Sequence, residues 1–258
     1  MATKVFDTYS LYYDLVYRDK DYAGEAAYVL RTLRRYCPVL ETLLDLGTGS
    51  GRHAECLAHS GLRVDGVELS DTMHEKSVAM RARLVPDVAA RLSFRKGDAR
   101  SVRTGRTYDA VTALFHVASY QVSNDDLAAF FGTAAAHLET GGVFLFDVWY
   151  GPAVLKERPE QRMKEVRDGD QRVIRFTRPQ HKPNENVVDV HFQVLAQSGL
   201  EGPWQELSET HSMRYLFLPE LEYFLHRAGL KLVATEEFLT GGPLGEHTWN
   251  ATLIARKA

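Results

Sequence analysis

The chain has 258 residues, of which 45% are hydrophobic and 25% charged, with a formal net charge of -3 at pH 7. That length buries a full core, as one large domain or one domain with a smaller lobe, and the composition is that of an ordinary globular protein. The weakly acidic balance argues against a nucleic-acid partner, whose surface would call for clustered Lys and Arg.

The Arg-rich stretch 91–106 is interrupted by Asp98 and apolar residues and reads as a solvated strand-and-loop edge. Cys37 and Cys56 have no metal-ligand spacing, so no metal is expected, and two thiols make no disulfide framework. The opening residues MATKVFDTYS lack the apolar centre of a signal peptide. No run approaches the ~18 apolar residues of a membrane span. A cytoplasmic protein without a membrane partner is the expectation.

In chain order, residues 1–36 read as two helical pieces. The first is rich in tyrosine (Tyr9, Tyr12, Tyr13, Tyr17), and the second spaces Ala26, Val29, Leu30 and Leu33 along one helical face before Pro38. From Thr42 strands and helices alternate. Thr42–Leu46 is a short buried strand, 47–51 a glycine turn, and 52–60 a helix closed by Gly61. Arg63–Val67 is a second strand ending at Glu68. Residues 70–84 form a helix in which Thr72 and Glu75 have capping-box spacing. Strands follow at 92–95 and 108–115. A helix at 127–138, preceded by Ser123 and Asp126, breaks at Gly141-Gly142 before a fifth strand at 143–148. Such alternation predicts a mostly parallel sheet covered on both faces, with the loops at the strand C-termini along one ligand-binding edge.

After Pro152 the pattern changes. Residues 172–177, 187–196 and 204–217 read as long strands separated by turn-rich stretches, which implies an antiparallel sheet. A helix at 219–228, closed by Gly229, leads to two last strands at 231–237 and 248–256, a hairpin that returns to the main sheet.

The chemistry concentrates at three strand ends. Gly47, Gly49 and Gly51 alternate in a turn that follows a hydrophobic strand and opens a helix, so a ligand can approach the backbone there with no Cβ in the way. The pattern is not the dinucleotide fingerprint, and it lacks the Lys-Ser/Thr ending of a phosphate loop. About twenty residues after Gly47, Glu68 ends the second strand, where a carboxylate can accept from both hydroxyls of a ribose. Asp98, after the third strand, is placed to accept from an adenine amino group. Asp45 either orders the glycine loop or meets an amino group of the ligand.

With these residues in hand the chain resembles class I S-adenosylmethionine (SAM)-dependent methyltransferases. The resemblance is carried by DLGTGSG at 45–51, GVELS at 66–70, Gly97-Asp98-Ala99 and YDAV at 108–111, and it covers about residues 40–150. It implies an α/β fold: a Rossmann-like seven-stranded sheet whose last strand runs antiparallel, here with an inserted antiparallel β subdomain. It implies SAM as cofactor and S-adenosylhomocysteine (SAH) as product. It assigns SAM contacts to Gly47, Gly49, Glu68, Asp98 and Ala99, with Thr48, Gly51, Leu69 and Phe115 in the same loops. Met73 sits where that family packs an apolar side chain near the adenine or ribose; core packing is its alternative.

The N-terminus is similar to that of nucleotide-linked amino-sugar N-methyltransferases, through Tyr13-Asp14-Leu15-Val16, Lys20-Asp21-Tyr22 and Glu25-Ala26, and residues 209–223 are similar to that family's strand-then-helix near the substrate. The organisation expected is an N-terminal helical lid at 1–40, a SAM-binding core at 41–152, an inserted substrate and dimer region at 153–218, and a C-terminal helix and hairpin at 219–258. A homodimer is among the expectations.

The acceptor is then a small molecule, an amine on a nucleotide-linked sugar. An O-methyltransferase of a sugar or secondary metabolite, a glycine- or sarcosine-type N-methyltransferase, and a SAM-binding protein without turnover are the alternatives. No Asn/Asp-Pro-Pro-aromatic motif follows the fourth strand, which argues against N6-adenine chemistry.

His116, Tyr120 and His211 are the candidate catalytic residues. That family tends to carry a His where Tyr120 stands here. Tyr22 is a lid residue toward SAM; Tyr12, Tyr13, Trp149, His191 and Arg214 are the candidate substrate contacts, Arg214 as a diphosphate grip and Trp149 as a stacking surface for a base. Each also has a plain structural reading, as core or surface residue, and His53 is expected to be structural.

Overall fold

The computed structural model describes residues 10–199 and 201–258. The reading of residues 1–9, Tyr9 included, lies outside the described residues. The elements in chain order are α1 (Ser10–Val16), α2 (Tyr22–Tyr36), β1 (Thr42–Leu46), α3 (Arg52–His59), β2 (Arg63–Glu68), α4 (Asp71–Arg81), α5 (Pro86–Ala89), β3 (Leu92–Lys96) and β4 (Tyr108–Ala113). A 3-10 turn (Val117–Tyr120), α6 (Asn124–Ala136), β5 (Leu138–Trp149) and α7 (Gly151–Glu157) follow. Then come β6 (Arg162–Asp168), β7 (Gln171–Lys182), β8 (Val187–Ser198), β9 (Trp204–Arg214), α8 (Leu218–Arg227), β10 (Leu230–Glu237) and β11 (Asn250–Lys257).

The main sheet has seven strands in the order β10-β11-β5-β4-β1-β2-β3, with β11 antiparallel to both neighbours. The strand order reverses between β1 and β4, so the loops after these two strands diverge and open a crevice at the C-terminal edge. Alternate residues bury on opposite faces. Leu44, Leu46, Val111, Phe144 and Phe146 pack against Phe130 and Phe131 of α6 and Leu221 and Leu225 of α8. Leu43, Val64, Ala110 and Leu145 pack against α2 and α3 through Val29, Leu33, Ala54 and Leu57.

The second sheet is an antiparallel meander, β6-β7-β8-β9. It leaves the core after β5 and returns beside it: Leu216 N donates to Trp149 O and Gly151 N to Leu216 O, both at 2.9 Å. Its inner face, Val166, Val173, Val194 and Ala196, closes over Tyr13 and Val16 of α1 and Met73 of α4. The crevice is therefore roofed by α1 and the second sheet together. Among the described residues no helix is long and apolar enough to cross a membrane.

Several local expectations are corrected. Ser70, not Thr72, caps α4, with Ser70 Oγ accepting from Met73 N at 3.3 Å. Gly141-Gly142 does not end a helix: α6 stops at Ala136, and both glycines lie within β5, which starts at Leu138 with a register irregularity against β4. Strand β6 was not expected, because as an edge strand it buries only Val166 and carries charge on both faces. The short helices α5 and α7 add to the expected elements, and β7 runs on to Lys182 rather than ending at Thr177.

Candidate active site

The crevice encloses a cavity of about 730 Å³ reached by the loops after β1, β2, β3 and β4, by α1 and by β8 and β9. Its floor is the glycine turn. Gly47 and Gly49 take φ of +76° and +58°, a region costly for other residues. A Cβ on Gly47 would stand 2.5 Å from Val117 Cγ2, whereas one on Gly49 would meet open space. Gly47 N and Thr48 N both donate to Val67 O, which fastens the turn to β2.

Glu68 organises the floor from the neighbouring strand. Its Oε2 accepts from Gly49 N and its Oε1 from Ser70 N, each at 2.8 Å. Burial pushes its carboxyl above the usual range, opposed by the backbone N–H groups of Ser70, Gly49 and Leu69. Thr48, buried in the same wall, has its side chain beside Asp45. Leu69, 58% exposed, and buried Met73 offer apolar surface beside Glu68. Asp98 and Ala99 line the next stretch. Both Asp98 oxygens accept from Arg100, whose guanidinium holds that carboxyl below the usual range and also reaches Asp126 at 2.7 Å.

Two expected floor residues do not line the cavity. Asp45 is buried beneath it, where its Oδ1 accepts from Thr112 Oγ1 at 2.8 Å and burial pushes its carboxyl up. Gly51 opens α3 and packs against Met80, Phe94 and Ser77 of α4 and β3.

The α1–α2 junction closes one side. Tyr13, Tyr17 and Tyr22 line the cavity, with Tyr13 and Tyr17 rings 4.6 Å apart. The guanidinium of Arg52 lies over the Tyr22 ring at 5.1 Å. Glu25 of α2 is bonded to Lys20 and accepts from or shares a proton with His53 Nε2 at 2.7 Å, so His53 straps the helix pair to the glycine turn as well as lining the cavity.

Burial raises the Glu25 carboxyl, but the bonds to His53 and Lys20 outweigh it and hold it below the ordinary value. A depressed carboxylate stabilises the fold fully above its unfolded pKa, about 4.3, and loses that contribution as pH falls through the folded value. Glu25→Gln is therefore expected to lower Tm at neutral pH. The gap to the parent narrows below about pH 4, as differential scanning fluorimetry across pH would read.

The loop after β4, β5 and the second sheet bring further titratable groups to the cavity. Phe115 and His116 follow β4 with φ of 65° and 67°, and Lys20 Nζ stands 4.3 Å from the Phe115 ring centre. His116 Nδ1 lies 2.9 Å from Oδ2 of Asp147, a fully buried residue of β5. Tyr120 Oη meets His211 Nδ1 at 2.8 Å, and His211 Nε2 lies 3.2 Å from Glu209 Oε2. The rings of Trp149 and Phe192 flank these groups, 6.2 Å from His116 and 4.9 Å from His211. His116, Tyr120, His211 and Trp149 thus all line the same cavity.

Three expected substrate contacts lie elsewhere. Tyr12 is outside the cavity, its Oη 3.5 Å from Gln205. His191 is on the outer face of β8, bonded to Thr210 at 2.8 Å and Gln180 at 3.3 Å, because a strand alternates its side chains and its neighbours Val190 and Phe192 take the inner face.

Arg214 is buried at the base of β9, where Nη2 donates to Asn124 Oδ1 at 2.9 Å and Glu220 Oε2 at 3.2 Å and Nη1 donates to Val122 O. It ties the second sheet to α6 and α8 and lies outside the cavity lining. Arg214→Ala is expected to cost about 3 kcal/mol in urea unfolding, by leaving Glu220 and Asn124 without their partner, and to leave acceptor KM unchanged.

Asp147, Glu209, Tyr17, Arg52 and Phe192 were not singled out from the sequence as site residues. Asp147 had a readable signal, an acid inside the apolar run at 143–148, but the others depend on which face of an element turns inward. Among the described residues no cluster of His, Cys, Asp and Glu is arranged to hold a metal ion.

Comparison with known proteins falls on the same regions. The profile of a family described as a methyltransferase domain matches residues 43–142. The chain is 33% identical over 235 residues, 90% of its length and 92% of the relative's, to dTDP-3-amino-3,4,6-trideoxy-alpha-D-glucopyranose N,N-dimethyltransferase of Streptomyces venezuelae. It is 30% identical, over 90% of this chain and 86% of the other, to dTDP-3-amino-3,6-dideoxy-alpha-D-glucopyranose N,N-dimethyltransferase of Streptomyces fradiae. Among solved structures, a SAM-bound amino pentose methyltransferase from Micromonospora echinaspora superposes with a TM-score of 0.75 at 26% identity over 98% of both chains.

Proposed function

Because this chain belongs to the class I SAM-dependent methyltransferases, we propose that it transfers methyl groups from SAM to the amino group of a nucleotide-linked, dTDP-type amino sugar. The observation that carries this reading is one cavity of about 730 Å³ lined both by a carboxylate-and-glycine cradle and by ring nitrogens and a phenol. Its relatives' printed activities supply the substrate class. The division into a lid at 1–40, a core at 41–152, an acceptor region at 153–218 and a closing segment at 219–258 belongs to the same reading.

The residues present fit the cofactor. Gly49 leaves open space beside the turn, and the Glu68 carboxylate, with about four acceptor positions, has capacity beyond its backbone donors. In this proposal Glu68 accepts from the ribose hydroxyls, Leu69 and Met73 sandwich the adenine, and Asp98 and Ala99 meet its edge. Tyr22 and Arg52 close over the methionyl end, and Asp45 acts from below by ordering the turn.

When bound, SAM supplies an electrophilic methyl group: the acceptor nitrogen forms the new C–N bond as the C–S bond breaks and its electrons return to sulfur. The chain's task is placement and proton removal. In-line placement of two reactants contributes roughly 7–11 kcal/mol. An amine attacks only when neutral, so each transfer releases one proton. His116 and the Tyr120–His211 pair are the groups that receive it. Trp149 and Phe192 exclude water, and Tyr13 packs over the sugar.

A second reading has one specific observation in its favour. The Tyr120–His211–Glu209 chain is the firm base that a hydroxyl acceptor would need, which supports O-methylation of a sugar. The test is mass spectrometry of a dTDP-linked amino sugar and of its hydroxyl counterpart after incubation with SAM and the protein. Gain of one or two methyl groups on the amino sugar alone is expected. Methylation of the hydroxyl compound alone would replace the amine reading, and no SAH formation with either would remove it.

A cytoplasmic setting goes with this proposal, supported by two free thiols at Cys37 and Cys56. A homodimer on the outer face of the second sheet goes with it too, supported by Met163 and Trp204, 63% and 43% exposed on that face. A monomeric mass in sedimentation equilibrium would contradict the dimer.

A further inference from the structure

The turn after β4 is unusual in its backbone. Phe115 and His116 both lie in the left-handed region, at φ of 65° and 67°. Two successive non-glycine residues there are strained, and strain of this kind persists only where surrounding structure fixes it. Besides the bond from Ser119 N to His116 O, the turn is fixed by one buried carboxylate. Asp147 Oδ1 accepts from His116 N at 3.1 Å, and Asp147 Oδ2 lies 2.9 Å from His116 Nδ1. Asp147 is fully buried on β5, and neither Oδ2 nor Nδ1 has another hydrogen-bond partner. The ring meets the carboxylate at contact distance without full hydrogen-bond alignment, a geometry that catalytic pairs show before the substrate arrives.

We propose that Asp147 is a positioning residue for methyl transfer: it pins the strained turn, holds the proton of the His116 ring on Nδ1, and so leaves the Nε2 lone pair facing the acceptor. Nδ1 is buried against Asp147 while the residue lines the cavity, which leaves the Nε2 edge for the acceptor in this proposal. A neutral imidazole has one donor and one acceptor nitrogen, and a carboxylate against Nδ1 decides which is which. Nε2 then accepts a hydrogen bond from the amine N–H, which aims the nitrogen lone pair away from the ring and toward the methyl group. As the C–N bond forms, Nε2 takes the ammonium proton, and the resulting imidazolium sits against an anion. Burial raises the Asp147 carboxyl, but the neighbouring His116 ring and the His116 backbone N–H outweigh that and hold it below the usual value, so the anion is present for this role.

This inference rests on the amine-acceptor reading, and its test separates the two. Long-range 1H–15N NMR of histidine-labelled protein with SAH bound reads the ring proton directly, with no acceptor present. The expected result is a proton on Nδ1 of His116 in the parent and on Nε2 in Asp147→Asn, whose amide can donate where the carboxylate accepted. With acceptor, D147N is expected to lose roughly 100-fold in kcat at unchanged SAH affinity. The double variant H116A/D147N should match H116A within about twofold, because the second loss acts only through the first. A proton on Nε2 in the parent, a D147N rate within about threefold of the parent, or losses that multiply in the double variant would each overturn it. If the parent fails to methylate the amine, the acceptor reading fails while the NMR result still decides the ring's orientation.

Discussion

Glu68→Ala is expected to raise the SAH dissociation constant by about 100-fold or more in calorimetry. The carboxylate makes two charge-assisted bonds to the backbone of the cradle, to Gly49 N and Ser70 N. Bonds to a charged partner contribute roughly 1.5–3 kcal/mol each, and the variant also loses those made to the ribose. The backbone bonds of Glu68 are already made in the ligand-free protein, so the variant's apoprotein is expected to lose stability at neutral pH, partly offset by removal of a carboxyl that burial holds above the usual range. The thermal stabilisation conferred by SAH should disappear. A variant that binds SAH like the parent would show that Glu68 only braces the turn.

His116→Ala is expected to lower kcat by about 10²–10⁴-fold with SAH affinity retained, since the side chain is held by Asp147 of β5 and lines the cavity. Tyr120→Phe probes the other proton-accepting chain. It keeps the ring against His211 and removes only the phenol oxygen bonded to it. A larger loss in Y120F than in H116A would move the proton-accepting role to the Tyr120–His211–Glu209 chain. The His116 losses should appear in single-turnover rates as well as in steady state, which separates the chemical step from product release.

Much of this was legible in the sequence where one residue type serves one backbone demand. Glycines at alternate positions after a buried strand gave the cradle, and an acid at the end of the next strand gave its partner, because both follow from local geometry that the chain alone dictates. The seven-stranded sheet followed from element order, and the antiparallel end strand from the resemblance.

The acceptor wall was legible only in part. Tyr120, His116 and His211 could be named because they sit on strand ends and inserted strands, but their pairing with Asp147 and Glu209 crosses from β4 to β5 and lies along β9, and no spacing in the chain encodes it. Arg214 and His191 were misplaced for a related reason. A cationic or polar side chain on a strand points to either face according to register, and here register sends His191 outward and ties Arg214 to Glu220 and Asn124. Strand β6 escaped notice because an edge strand with one buried residue has no hydrophobic period to read.

The most direct test of the account is a crystal structure of the protein with SAH and a dTDP-linked amino sugar together. It should find the sugar nitrogen within hydrogen-bond reach of His116 Nε2 and in line with the SAH sulfur, with Glu68 on the ribose. A sugar nitrogen facing away from the sulfur, or a nucleotide sugar seated on the outer face of the second sheet, would contradict it.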